Sequence, residues 1–401
     1  MKKVVIVSAV RTPLGKFGGA LSSLNAVTLG ILVAKEAVAR AGISPDQIQE
    51  VIFGNARQAG NGPNPARQIG IGAGIPVDTP AYTVNQACAS GMKSIILGYQ
   101  AIVLGDADVV LCGGTESMSN TPFLFRKMRA GIRLGHAEVE DGMYRDGFMC
   151  PMAKMLMGET AEILAEKFKI SREEQDEYAA LSQQRCEIAR KNGLFDEEII
   201  PVEVQQSGPS VLSLDRIKTT LVTSDENPRD GVTAAALNKL PPAFKKNGTV
   251  HPGNSSGITD GAAAIILMSE EKAAELKTPI LARIENYAVT GVDPTLMGLG
   301  PIKAVRLLEK RAGVSALEVD LIELGEAFAV QVLACNQELK LDRAKLNVKG
   351  GFIPLGHPIG CSGARIIVTL VHEMKRRKAL TGLAALCVSG GMGAALMLRL
   401  N

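Results

Sequence analysis

The segment AKEAVARAGISPDQIQEVIFGN (residues 34–55) and the segment VRLLEKRAGVSALEVDLIELGE (residues 305–326) decide the fold when they are read together. At one constant offset Arg40-Ala41-Gly42 falls on Arg311-Ala312-Gly313, Ser44 on Ser315 and Gly54 on Gly325. Each segment reads as an amphipathic helix stopped by glycine, a short linker, and an apolar strand that ends in glycine. Downstream, Ala87-Cys88-Ala89-Ser90-Gly91 lies nearly opposite Gly360-Cys361-Ser362-Gly363, with Ser90 and Ser362 at almost the same offset. Further on, Val109-Val110-Leu111-Cys112-Gly113-Gly114 resembles Ala385-Leu386-Cys387-Val388-Ser389-Gly390-Gly391. A closely similar offset across three blocks, slightly larger in the last, implies a duplicated α/β unit. The expected halves are residues 1–119 and 277–401, layered helix on sheet, with residues 120–276 inserted between them.

Composition narrows the function. The 401 residues carry 44 Lys+Arg against 41 Asp+Glu, no Trp and 4% aromatics. This balance gives neither the basic footprint nor the stacking platforms that nucleic-acid binders need, so no nucleic-acid partner is expected. The seven cysteines are odd in number, far apart and never spaced CxxC, so neither a disulfide framework nor a zinc ribbon is legible, and a reducing cytoplasm is the expected compartment. No export signal is read in the first ten residues. Residues 381–398 lack charge, but their glycines predict a strand, a glycine turn and a second strand, and no membrane partner is expected.

Within the insertion, Arg126, Lys127, Arg129 and Arg133 form a basic stretch suited to solvent or to a phosphate-bearing substrate. Helical patterns follow around residues 159–169 and 173–191, and the whole is expected to cover a site built by the halves.

Three residues carry the chemistry. Cys88 stands where a loop enters a helix among small neighbours, a setting in which the helix N-terminus favours a thiolate and a carbonyl can approach. His357 is fixed between Gly356 and Pro358 in a loop, as an aimed base requires. His136 reads as loop and His372 as surface helix. Cys387 ends an apolar strand before Val388-Ser389-Gly390-Gly391, whose N–H groups suit an oxyanion.

With these blocks in place, the chain resembles the thiolase family along essentially its whole length, from Val7-Ser8-Ala9-Val10-Arg11-Thr12-Pro13 to the Cys387 turn. The resemblance implies the thiolase fold, two duplicated αβαβα halves with an inserted loop domain. It implies Claisen chemistry on acyl-CoA: Cys88, activated by His357, takes the acyl group, and Cys387 moves the α-proton. The N–H groups of Cys88 and Ser389 would form one oxyanion hole, and His357 with an ordered water the other. CoA thioesters serve as substrates, with no metal or redox cofactor. By the same resemblance Arg229 packs on the adenine, Ser256 bonds the pantetheine arm, and Phe244, Met157 and Phe328 wall the acyl and pantetheine groups. A homo-oligomer, tetramer or dimer, is implied.

The sequence also departs from the family. Gly325 stands in Gly325-Glu326-Ala327-Phe328-Ala329 where the family has the asparagine that fixes the water of the hole formed with His357. Ser389 replaces a glycine, and Leu156 replaces a histidine typical of short-chain members. The leading activity is interconversion of two acetyl-CoA with acetoacetyl-CoA and CoA. A longer-chain 3-ketoacyl-CoA thiolase and a non-turnover acyl-CoA-binding subunit are the alternatives.

Overall fold

The computed structural model describes residues 2–206 and 218–400. Its central sheet is built from β1 (Val4–Arg11), β2 (Glu50–Gly54), β3 (Ala81–Val84), β4 (Val109–Ser117), β5 (Thr259–Ser269), β6 (Ala282–Gly291), β7 (Leu321–Leu324), β8 (Thr381–Val388) and β9 (Met392–Arg399). The strand order is β7-β8-β9-β6-β1-β5-β4-β2-β3.

The duplication is visible in the pairing. β2 lies parallel to β4, which runs antiparallel to β5, which runs antiparallel to β1. In the second half β7 lies parallel to β8, which runs antiparallel to β9, which runs antiparallel to β6. The halves join where β1 meets β6 through Val5↔Arg283 and Ile6↔Ala282.

One boundary differs from the sequence expectation. β5, assigned from sequence to the insertion, completes the sheet of the first half by pairing with both β1 and the Cys112 strand. The chain leaves the first half after β4 and returns to it at residue 259, so the insertion ends before β5.

Helices α1 (Ala26–Ala41), α2 (Ser90–Leu104), α3 (Met157–Phe168), α4 (Arg172–Lys191), α5 (Gly300–Ala312), α6 (Ala329–Leu339) and α7 (Ile359–Arg377) complete the layers. α1 covers the outer face of the first half, and α5 covers that of the second. α2 and α7 fill the space between the two half-sheets, giving the expected α-β-α-β-α stack. The strand period sorts β1 accordingly: Val4, Ile6 and Ala9 face the central layer and Val5, Val7 and Val10 the outer one, with a bulge between Ile6 and Ser8 resetting the alternation. Each fully buried aliphatic chain of α7, such as Ile367 or Val368, contributes roughly 1.5–3 kcal/mol.

Residues 381–398 form the predicted strand, turn and strand. The stretch Ala87–Leu104 is long and apolar enough to cross a membrane by length and composition, but it lies in the central layer of the fold.

Small residues bring the two central helices together at their N-termini. A Cβ on Gly91 would sit 2.7 Å from the Ala364 nitrogen, one on Gly363 2.4 Å from the Met92 nitrogen, and one on Gly114 2.3 Å from the Gly360 oxygen. These contacts are with backbone, which has no rotamer to yield. The glycines of the Cys88 and His357 blocks thus set the spacing between the turn that carries the thiol and the loop that carries the imidazole.

Candidate active site

Cys88 occupies a 3-10 turn, Ala87–Ala89, immediately before α2. Ala87 holds φ +45°, a left-handed conformation unusual for a residue with a Cβ. The turn is braced on both sides. The Ala87 N–H donates to Asn85 Oδ1 at 3.0 Å, and the Ser90 hydroxyl accepts from the Gln86 N–H at 2.9 Å while donating to the Ala87 carbonyl at 2.6 Å.

Burial pushes the Cys88 thiol up. The Ser389 N–H directed at it and the charge of Arg57 oppose this only in part. The resting group is a thiol, where the sequence reading had favoured a thiolate. The reason is that desolvation outweighs the helix terminus in a site this enclosed.

His357 is held from two directions. Its N–H donates to the Gly257 carbonyl at 2.9 Å, and its Nδ1 lies 2.6 Å from Ser362 Oγ. The Ser362 hydroxyl has a single proton and also lies 2.8 Å from the Pro358 carbonyl, which can only accept. That network places the ring proton on Nδ1 and leaves Nε2 as the free base. Burial, with Arg365 and Arg57 adding repulsion, pushes the imidazole down to about 3, so it is neutral across the physiological range. The aligned serines of the repeat serve matching ends: Ser90 braces the nucleophile's turn and Ser362 orients the base.

Cys387 is the penultimate residue of β8, paired with Gly393 of β9. Burial and the neighbouring Cys88 raise its thiol well above the ordinary value. The connecting turn is closed by the Gly391 N–H donating to the Val388 carbonyl at 3.2 Å, with Gly390 and Gly391 at φ +88° and +84°. Ser389 is not among the left-handed residues, so a serine fits there without strain and its N–H stays available to Cys88.

Three of the residues expected to wall the substrate lie in one apolar cluster. Phe328 packs in one cluster with Cys387, and Met157 and Phe244 lie against that cluster. The Phe244 and Phe328 rings meet edge to face at 6.4 Å, and a Cβ on Gly158 would strike Phe244 at 2.4 Å. The loop carrying Ser256 is tied to the same wall, since the Ser256 N–H donates to the Ala327 carbonyl at 3.0 Å. Arg229 is exposed, its N–H bonded to Gln183 Oε1 at 3.1 Å. In the basic stretch Arg126 pairs with Glu140 and Lys127, Arg129 and Arg133 face solvent.

Gly325 departs from its expected role. Its N–H is spent on the Ala385 carbonyl at 2.8 Å, and it has no side chain to hold a water. The adjacent volume belongs to Phe352, whose ring lies 2.8 Å from where a Cβ on Gly325 would be. His372 also differs from its surface reading, since Nε2 donates to the Ala9 carbonyl at 2.9 Å from a largely buried position.

Further residues of the site were not singled out from sequence. Glu116, fully buried, accepts from Asn55 Nδ2 (2.7 Å) and from the N–H groups of Arg57 (3.1 Å) and Gly360 (2.9 Å), tying the first half to the start of α7. Glu326 accepts from Tyr178 (2.7 Å), Ser182 (2.8 Å), Asn347 (2.8 Å) and the Ile353 N–H (3.1 Å), fixing the loop that leads to His357. Arg57 lies over the Phe148 ring, and its Nε and Nη2 have no partner among the described residues. Glu326 occurs in a motif quoted above and Glu116 two residues beyond another, but only the folded contacts show what they span.

The assembled site holds a neutral thiol facing a backbone N–H, a neutral imidazole with Nε2 free, and a second buried thiol against an apolar wall. Such a set can form and cleave thioesters and move a proton at carbon.

Comparisons with known proteins give the family. A family model described as the thiolase N-terminal domain matches residues 4–271, and one described as the thiolase C-terminal domain matches residues 278–400. An acetyl-CoA acetyltransferase of Pseudomonas aeruginosa is 49% identical over 398 residues, covering 99% of both chains. A solved acetyl-CoA acetyltransferase of Bacillus anthracis superposes with TM-score 0.95 at 45% identity, over 100% of this chain and 99% of its own. Human mitochondrial 3-ketoacyl-CoA thiolase in complex with CoA superposes with TM-score 0.94 at 42% identity, over 100% of this chain and 98% of its own.

Proposed function

The chain belongs to the thiolase family, and from that premise we propose that it is an acetyl-CoA C-acetyltransferase, interconverting two acetyl-CoA with acetoacetyl-CoA and CoA. The observation that carries the reading is that the Cys88 turn, with the Ser389 N–H directed at its thiol, packs against both α7, which follows His357, and β8, which carries Cys387 beside it. Full-length relatives bearing the acetyltransferase name support it further.

In the first half-reaction His357 Nε2 accepts the Cys88 proton as sulfur attacks the thioester carbonyl. The oxyanion forms against the N–H groups of Cys88 and Ser389, and the CoA sulfur leaves with the proton from His357. In thiolysis the resting Cys387 thiol gives a proton to the α-carbon of the departing acetyl-CoA. In synthesis the Cys387 thiol first passes its proton to His357 Nε2, its thiolate then removes the α-proton, and the Cys88 sulfur expelled as the new C–C bond forms takes the proton back from His357. The chain's own cysteines and histidine account for each transfer, so no metal or redox cofactor enters the reading. Arg229, Ser256, Met157, Phe244 and Phe328 are proposed to hold the CoA and acyl portions.

Exposed apolar side chains along the insertion, among them Phe123, Met128 and Leu134, support a homo-oligomer. The free state of all seven cysteines is in keeping with a reducing cytoplasm. The test is steady-state thiolysis of acetoacetyl-CoA beside a longer 3-ketoacyl-CoA. Higher kcat/KM for acetoacetyl-CoA supports the acetyltransferase. The reverse order would assign the longer-chain alternative, for which half-buried Leu156 is the motivating residue.

A further inference from the structure

The position that lacks a side chain, Gly325, borders a ring that touches the base. The Phe352 ring lies on the His357 imidazole with centroids 4.5 Å apart and planes 12° from parallel. The Arg365 guanidinium carbon lies 5.0 Å from the centroid of the Phe352 ring. All three side chains are buried, Phe352 and Arg365 almost completely. Arg365 is fixed in turn by Thr369 at 3.4 Å and by Glu323 at 3.9 Å. Gly325 makes room for this arrangement, because a Cβ there would stand 2.8 Å from the Phe352 ring and 2.9 Å from Leu386 Cβ.

We propose that Phe352 is a positioning residue for the catalytic base: its ring, backed by Arg365 and admitted by Gly325, fixes the plane of the His357 imidazole so that Nε2 stays aimed at the reacting sulfur. The Nδ1 hydrogen bond to Ser362 anchors one atom of the ring and leaves rotation about that contact open. A stacked face removes that freedom, which a single hydrogen bond does not do. The inference rests on the assignment of His357 as the base in the proposed function. It explains how the chain manages without a side chain at 325: the volume is used to hold the imidazole itself.

The test compares Phe352→Leu, which keeps apolar volume without a ring, with Phe352→Tyr, which keeps the ring, in acetoacetyl-CoA thiolysis. Phe352→Leu is expected to lower kcat on the order of 10- to 100-fold with KM nearly unchanged, the scale expected when a reacting group is misaligned by a fraction of an ångström to one ångström. Phe352→Tyr is expected to stay within about threefold of the parent. Gly325→Ala, which presses on the ring, is expected to lower kcat in the same direction. A Phe352→Leu protein with parental kcat, or with only its melting temperature reduced, overturns the proposal.

A second measurement needs no Phe352 variant. With histidine labelled at Cε1, four resonances are available from the four histidines of the chain. The one lost in His357→Asn should be displaced upfield by the Phe352 ring current, and an undisplaced His357 resonance overturns the stack. If the parent protein shows no acyl transfer at all, the functional reading fails, while the resonance still decides the stacking.

Discussion

Replacing Ser362 by alanine tests how the base is made. The Ser362 hydroxyl is fully buried, lies 2.6 Å from His357 Nδ1, and gives its own proton to the Pro358 carbonyl at 2.8 Å. Alanine removes the only acceptor of the Nδ1 proton among the described residues, in a place too enclosed for water to substitute freely. A buried donor left without a partner costs about 1–3 kcal/mol. The ring can avoid that cost by moving its proton to Nε2, the nitrogen that must be free to take the Cys88 proton. Either route slows acylation, and 1–3 kcal/mol corresponds to roughly 5- to 150-fold in rate. The assay is a single turnover with acetyl-CoA, quenched at intervals, with the acetylated fraction read by intact mass. The step measured is acylation alone, so effects on condensation do not enter. A Ser362→Ala protein that acylates at the parental rate would refute the tautomer assignment.

Three other perturbations have expected outcomes. Gly363→Ala drives a Cβ to 2.4 Å from the Met92 nitrogen and separates α2 from α7, so thiolysis should fall by at least tenfold while the circular dichroism stays parental; full activity would show that the helix contact does not set the site. The Cys88 thiol is raised by burial, so its alkylation by iodoacetamide should keep accelerating as pH rises past 8, and a rate plateau below pH 7 would reveal a thiolate instead. His357 is neutral in the fold with its value near 3 against about 6.5 when unfolded, so the unfolded chain binds the extra proton between these limits. Its contribution to stability is complete above pH 6.5 and declines by up to about 1.4 kcal/mol per unit as pH falls towards 3. Between pH 7 and pH 5 the parent should lose more melting temperature than His357→Asn, and equal losses would contradict the buried neutral ring.

The duplicated architecture was legible because its signals are local. Gly42 and Gly313, aligned in the two segments, both end their helices at left-handed φ, +66° and +67°. Ser90 and Ser362, aligned one block further on, both brace a turn before a central helix. Cys88, His357 and Cys387 stand out in the sequence because each lies in or directly beside a glycine-marked turn at the end of an element. β5 was assigned to the insertion because it enters the first half only after a long excursion, and strand pairing across such a separation leaves no periodic trace. Ser389 is tolerated because the left-handed positions fall on Gly390 and Gly391, which a sequence pattern does not assign. Phe352 and Gly325 lie far apart in the chain, and their complementarity exists only in the packed core.

The central claim is that Cys88 carries the acyl group and Cys387 moves the proton at carbon. Intact-mass analysis after incubation with acetyl-CoA addresses it directly, using the parent, Cys88→Ala and Cys387→Ala. The account predicts an acetyl adduct on the parent that CoA discharges, none on Cys88→Ala, and on Cys387→Ala an adduct that forms normally but yields no acetoacetyl-CoA. An adduct on Cys88→Ala equal to that of the parent, or acetoacetyl-CoA produced at the parental rate by Cys387→Ala, would contradict it.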